Sequence, residues 1–335
     1  LSPLYDFAGG GDGANPFGGV IRDSTGVVYG TTVNGGADDG GTVFQLRPSA
    51  TRQVSAITPW TETILYSFHH GGSDGINPFG NPVFDNAGNL YGTTYAGGTT
   101  GNGMVYELTP SSGGEWTEAI LHNFRGPDGA GPRGTMIFDS AGNLYGTTES
   151  GGTYGCGTVF EITPSGSGWN ESVLYNFTGN GDGCRVWGGV ILDQAGNLYG
   201  ASPMTTIDPS SHGVVFELSP SAGGWGYTLL YTFTSGYIDV CSFGNGTGPV
   251  SSLTMDSSGA LYGTTGGDGF YEAGNVFKLA PSNGSWVYTS MHDFDPYTDN
   301  STAPCGGPVL DAAGNIYGTA AGQDLNTGTV WEVTP

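Results

Sequence analysis

Positive charge is scarce in this sequence: of 335 residues only 7 are Lys or Arg, against 30 Asp and Glu, for a net charge of −23. A surface so acidic repels phosphate backbones and anionic headgroups at long range, which argues against nucleic acid or a charged membrane as partner. No apolar run is long enough to span a bilayer, and no leader precedes the first strand-like segment, so the sequence reads as a mature, processed chain without membrane insertion. Cysteine is limited to four residues, none in a C-x-x-C or Cys/His pattern, which sets aside a zinc module and any metal site of regular spacing. Helical periodicity is missing between the apolar runs. Strands remain.

What the chain does have is repetition. A segment reading approximately L-Y-x-F, then G-G-V-I-x-D-x-x-G-N-L-Y-G-T-T, then G-T-V-F-E-L-x-P recurs six times, and one tyrosine marks its register at Tyr29, Tyr91, Tyr145, Tyr199, Tyr262 and Tyr317. The steps are 62, 54, 54, 63 and 55 residues. Within the second unit the strand-like runs are Asn81–Asp85, Asn89–Thr94, Met104–Leu108 and Trp116–Phe124, rich in β-branched and aromatic residues. Asp85 opens an Asp-x-x-Gly turn between the first two, as do Asp23, Asp139, Asp193, Asp256 and Asp311 in the other units. Such turns make hairpins, because Asp bonds its own backbone and Gly accepts positive φ. Four antiparallel strands per unit, six units and no crossover helix predict an all-β, six-bladed β-propeller. A β-solenoid is the rival, but it would need capping ends and a shorter, more constant period.

The repeats run approximately over 1–63, 64–119, 120–172, 173–228, 229–289 and 290–335, read together as one domain. Leu4-Tyr5-Asp6-Phe7 precedes the first complete unit, and no such strand follows Trp331. The N-terminal strand is therefore expected to complete the last blade and remove the open edge.

Cysteine positions fit that architecture. Cys156 falls between the second and third strands of blade three and Cys184 in the loop entering blade four, while Cys241 and Cys305 fall in the entry loops of blades five and six. Those loops open on one face, so disulfides Cys156–Cys184 and Cys241–Cys305 are expected, and with them an oxidising, extracellular or periplasmic location.

The pattern Y-G-T-T, a G-G loop and then G-T-V-F, as in Tyr29–Thr32 with Gly41–Phe44 and Tyr145–Thr148 with Gly157–Phe160, resembles the Gloeobacter/Verrucomicrobia (GloVer) repeat. The resemblance covers essentially the whole chain. It implies a secreted bacterial protein of the kind called choice-of-anchor tandem-repeat GloVer-containing proteins, held at the cell surface by a separate anchor, and it brings no catalytic residues. Departures are Gly200-Ala-Ser-Pro203 in place of G-T-T and an enlarged entry loop, Thr234–Pro249.

Candidate chemistry is sparse. Gly71-Gly-Ser-Asp-Gly75 spells G-x-S-x-G, but that motif works only as a strand-to-helix elbow, which an all-β chain lacks. His122 and His292 take the Tyr place of L-Y-x-F and read as packed positions; His69, His70 and His212 read as loop residues. Asp12, Asp74, Asp128 and Asp182, each followed by Gly, repeat in the entry loops; they are the only candidates for Ca²⁺, and ordinary Asp-Gly turns are the preferred reading, with no cofactor expected. The residues that break the repeat are Arg125, Arg133, Arg185 and Trp187, the last where Phe17 and Phe79 stand in blades one and two. An arginine fork and an indole suit an acidic or neutral glycan; the preferred reading packs Trp187 into the blade interface and pairs the arginines with nearby aspartates.

Sequons at Asn170, Asn176, Asn245, Asn283 and Asn300 indicate surface position at most. Two functional classes follow. One is a non-catalytic surface module that is structural, adhesive or glycan-binding, partnered by a glycan, a surface protein or copies of itself. The other is a polysaccharide lyase or hydrolase drawing on Tyr154, Tyr237, His70 and the arginines.

Overall fold

The computed structural model describes residues 3–48, 60–166, 168–208, 211–234, 248–299, 301–322 and 328–334, with Ser301 and Gly322 by backbone alone. Among them the only helix is the 3-10 turn Gly10–Asp12, and no helix is long and apolar enough to cross a membrane. Six antiparallel sheets succeed one another along the chain. The first holds Ile21–Arg22, Val28–Thr32, Thr42–Pro48 and Trp60–Ser67 in that order; the second holds Val83–Phe84, Leu90–Thr94, Met104–Pro110 and Trp116–Asn123. The third to fifth repeat this order, and in the sixth Ile316–Gly322 pairs with Ser301–Thr302, Val309–Leu310 and Gly328–Val333. This is the six-bladed β-propeller fold that the repeat predicts.

By internal contacts the chain divides into two compact units, Leu1–Leu144 with Ile162–Glu171, and Tyr145–Glu161 with Ser172–Pro335. Every contact described below lies within one of them.

The repeat is explained by how the second strand is covered. Each Y-G-T-T strand places its glycine opposite a large aromatic on the third strand: Gly30 faces Phe44, Gly92 faces Tyr106, Gly200 faces Phe216 and Gly263 faces Phe277. The ring folds over the bare backbone so closely that a Cβ at Gly200 or Gly263 would lie 2.4 Å from it. Onto that ring comes the Phe of a preceding L-Y-x-F: Phe68 meets Tyr106 at 5.2 Å, Phe177 meets Phe216 at 5.1 Å and Phe233 meets Phe277 at 5.2 Å. Phe68, Phe177 and Phe233 are fully buried, each contributing about 1.5–3 kcal/mol of apolar burial. The recurring letters of the repeat are thus a stacked core.

The Asp-x-x-Gly turns close as expected. Asp85 Oδ1 accepts the N–H groups of Ala87 and Asn89 at 2.8 and 2.9 Å, and Oδ2 accepts the Tyr91 hydroxyl at 3.2 Å. Burial works against these carboxylates, yet the bonds they accept prevail and hold Asp23, Asp85, Asp193 and Asp256 below the usual Asp value.

One expectation is corrected. Leu4–Phe7 takes no strand conformation, and the sixth sheet contains only strands from Ser301 onward, so the N-terminal closing strand is not among the observed ones. Phe7 nevertheless keeps the side-chain role of its repeat, packing edge-on against Phe44 at 4.9 Å. Ring packing needs only one residue in place, whereas a strand needs a paired run.

Cys156 and Cys184 are bonded, with Cα atoms 4.4 Å apart and both side chains buried. Cys305 is also in a disulfide, and Cys241, the partner expected for it, lies outside the described residues.

Candidate functional site

Neighbours inside their own units account for the side chains of Arg133 and Arg185. The Arg133 guanidinium lies over the rings of Phe79 and Phe17, at 4.7 and 5.8 Å, and Phe17 is 55 % exposed. Arg185, at positive φ, pairs with Glu149 at 3.3 Å. Trp187 is buried, 6 % exposed, which leaves no free face for a sugar. Arg125 uses its backbone N–H to hold Asp128 Oδ1 at 2.7 Å. Of the enzyme candidates, His70 and Tyr154 are exposed side chains in different units, and Tyr237 lies outside the described residues. Gly75, the last glycine of G-x-S-x-G, pairs in a two-stranded sheet with Gly97, and no helix follows it.

The entry-loop aspartates are more informative. In the fourth strands a one-residue β-bulge precedes the Tyr or His of L-Y-x-F; its position is marked by register shifts between Val43 and Phe44 and between Ile120 and His122. A bulge re-aims the next side chain. That side chain reaches the Asp of the following entry loop: Tyr66 to Asp74 at 3.2 Å, His122 to Asp128 at 3.0 Å and Tyr175 to Asp182 at 2.8 Å, and Tyr5, outside any strand, bonds Asp12 in the same way. The same carboxylates accept local N–H groups, from His69 for Asp74 and from Thr178 for Asp182.

A second carboxylate joins three of these places. Glu62, Glu118 and Glu171 stand at matching positions of successive fourth strands, and Oε1 of each is buried without a hydrogen-bond partner in the structure. Burial first, and then the charge of Asp12, Asp74 or Asp128, pushes each of them up to about 7. In the next two units Tyr227 and Tyr288 take the position instead. His122, Asp128 and Glu171 form the one group of three metal-ligating side chains among the described residues, their donor atoms within 4.8 Å of one another.

A pH dependence follows, read on Glu62 and Glu118. Because folding raises their pKa from 4.5 to about 7, the folded chain binds more protons in that interval, and stability falls as pH rises through it. The turn aspartates act in the opposite sense, losing stability as pH drops below the ordinary Asp value of 3.8. The melting temperature is therefore expected to peak between about pH 4 and 5 and to be lower at pH 8, each glutamate accounting for about 1 kcal/mol after allowance for partial exposure. Thermal melts of Glu62→Gln/Glu118→Gln should flatten the neutral side of the profile. An unchanged profile would refute the assignment.

A different concavity lies between the first two blades, on the side of the Asp-x-x-Gly turns. It has a volume of about 500 Å³ and is lined by Asp23, Tyr29, Phe84, Asp85, Asn86 and Trp116, among others. Tyr29 and Phe84 meet edge to face at 4.9 Å, and Trp116 is half-buried at the wall. At the positions matching Tyr29 and Trp116, Tyr91 meets Trp169, Tyr145 meets Trp225 and Tyr199 meets Trp286, at 5.9, 6.3 and 6.0 Å. Aromatic walls beside acceptor oxygens suit the apolar face and the hydroxyls of a sugar. Sequence reading missed this groove, because Tyr29 and Trp116 come from different repeats.

Comparison with known proteins extends the picture. No curated protein matches the sequence. Among solved structures the chain is similar to PorZ of Porphyromonas gingivalis, described as an essential bacterial surface component of the type-IX secretion system, at 13 % identity and a TM-score of 0.57. That match covers 100 % of this chain and 42 % of PorZ, so the chain spans less than half of that relative's length. It is similar also to a Lactobacillus plantarum protein (15 % identity, TM-score 0.57, covering 94 % of this chain and 80 % of that one). A further match is a proposed oxidoreductase (glucose dehydrogenase) of Thermus thermophilus (14 % identity, TM-score 0.55, covering 98 % of this chain and 99 % of that one). At such identities the likeness concerns the fold alone. The sequence model of the Gloeobacter/Verrucomicrobia repeat matches residues 53–242. With more than half of its length matched and the repeat visible in every blade, the chain belongs to the Gloeobacter/Verrucomicrobia repeat family.

Proposed function

We propose that this propeller is an exported, surface-associated module that binds neutral glycans without transforming them, through the aromatic grooves between blades. The observation that carries the reading is the cavity of about 500 Å³ walled by Trp116, Tyr29 and Phe84 and edged by Asp23 and Asp85. Both aspartates are committed to their own turns and held below the usual carboxylate range, so neither is poised as the general acid that glycoside hydrolysis requires. With a net charge of −23, the chain favours neutral over acidic sugars. A buried disulfide and the likeness to PorZ, itself a surface component, support export.

A second reading keeps the Arg133, Phe17 and Phe79 cluster as a site for a carboxylated sugar, favoured by the exposed Phe17 ring. A glycan array read with wild type, Trp116→Ala and Arg133→Ala separates the two. Trp116→Ala is expected to weaken neutral-glycan binding about fivefold, since one stacked ring supplies about 1 kcal/mol beyond area burial. A loss confined to Arg133→Ala would move the site to the entry loops. Release of new reducing or unsaturated ends from any bound polysaccharide would replace both readings with an enzyme.

A further inference from the structure

The geometry points to a site for a first-row divalent transition ion, zinc above all, held by His122, Asp128 and Glu171. The three donors come from separate pieces of chain: His122 from the strand Trp116–Asn123, Asp128 from the loop that follows, and Glu171 from the strand Gly168–Asn176. The bulge before His122 turns its ring toward the loop, and the Arg125 N–H fixes Asp128 from the other side. Asp128 Oδ2 and His122 Nε2 are 3.0 Å apart. Two ligands at the tetrahedral angle, each about 2.1 Å from one zinc ion, would be separated by about 3.4 Å. The set, spread over up to 4.8 Å, closes on such an ion with carboxylate movements of at most about 1.4 Å.

Two observations argue that this is a site and not merely a repeat of acidic turns. The first is Glu171 Oε1, buried with no hydrogen-bond partner, which needs a cation or a proton. The second is an internal comparison: Glu62 and Glu118 leave the same oxygen unpartnered, but there the third member is Tyr5 or Tyr66, a hydroxyl that already donates to the loop Asp. Only at Glu171 does a nitrogen lone pair complete the set. The imidazole also decides the metal class, since Ca²⁺ and Mg²⁺ take oxygen ligands while imidazole with carboxylates suits zinc and its neighbours. The side chains of His122 and Asp128 are each 19 % exposed, enough for water to reach the remaining coordination positions. His292 and Asp299 repeat the His–Asp contact at 3.1 Å but gain no third donor among the described residues.

The test uses the full chain, stripped with chelator and titrated with Zn²⁺ against a background of Mg²⁺ and Ca²⁺, with Co²⁺ as the spectroscopic probe. One Zn²⁺ per chain is expected, with a rise in melting temperature and Co²⁺ bands of a nitrogen and oxygen site. His122→Tyr restores the residue that Tyr66 and Tyr175 hold at this place, so it should fold and melt like the stripped parent while losing at least about 100-fold in Zn²⁺ affinity; loss of an outer-shell partner alone costs about 10–100-fold. Glu171→Gln, which removes a ligand together with a buried charge, provides a second folded variant with the same expected loss. Zinc binding that survives both substitutions would assign it to surface histidines such as His69 and overturn the proposal. So would the failure of stripped wild type to take up Zn²⁺ or Co²⁺ at micromolar concentration, or a preference for Ca²⁺.

Discussion

Replacing Gly157 with alanine is expected to cost the fold about 3–4 kcal/mol, combining a backbone conformation that side chains avoid with severe overpacking. Gly157 stands at φ 95°, immediately before the strand Thr158–Ser165. A Cβ there would lie 2.2 Å from the Thr148 carbonyl oxygen and 3.1 Å from that of Glu149. Both obstacles are main chain, so no rotamer change relieves them. The same collision awaits at Gly41 and Gly103, 2.5 and 2.2 Å from the carbonyls of Thr32 and Thr94, which explains why G-T-V-F keeps its first letter. Gly155 is the control: its φ is 80°, but nothing lies within 4 Å, and its alanine variant should lose only about 1 kcal/mol. Denaturant unfolding of the two variants decides the matter. Equal losses would mean that backbone conformation, and not the carbonyl contact, fixes the glycine.

Removing the Cys156–Cys184 bond should be comparably costly. A cross-link spanning 28 residues restricts the unfolded chain by about 3–4 kcal/mol in the loop-entropy account. Both cysteines are 1 % exposed, so reductant acts slowly until the region opens. The Cys156→Ser/Cys184→Ser variant is therefore the cleaner test, with a markedly lower melting temperature expected than for the oxidised parent. Non-reducing peptide mapping should recover the linked pair from protein produced in an oxidising compartment. Should the double variant melt with the parent, the bond would contribute nothing to the stability of the fold, and its support for an exported protein would weaken.

Much of this molecule is legible in its sequence because each repeat is local. The turns at Asp85 and its equivalents, the four strand positions and the neighbouring placement of Cys156 and Cys184 all depend on residues close together in one repeat or the next. Reading fails where a property depends on what lies opposite. Trp187 breaks the repeat, which alone leaves a stacking surface and a packed interface residue both open, and the structure shows it buried. The groove at Trp116 requires two repeats side by side. Glu171 looks like an ordinary charged residue on an exposed edge until the bulge brings His122 to the loop beside it. Leu4–Phe7 carries the strand pattern but keeps only its ring packing, since pattern records side-chain preference and not the presence of a paired partner.

Where one blade meets the next, a threonine hydroxyl of one blade meets a main-chain carbonyl of the other. The Thr31 hydroxyl donates to the Gly80 carbonyl, Thr147 to that of Gly188 and Thr264 to that of Gly306, while Gly80 has the Arg133 and Gly134 carbonyls within 3.1 Å of where a Cβ would stand. Such a joint does not discriminate between partners. A blade copied in tandem carries both the hydroxyl and the carbonyl with it, and so finds its neighbour already compatible. Variation is then free to gather in the loops and at the strand ends beside them, where a tyrosine in one copy and a histidine in another cost the scaffold little. The architecture behaves as a plug-in series, in which new chemistry can be tried one module at a time.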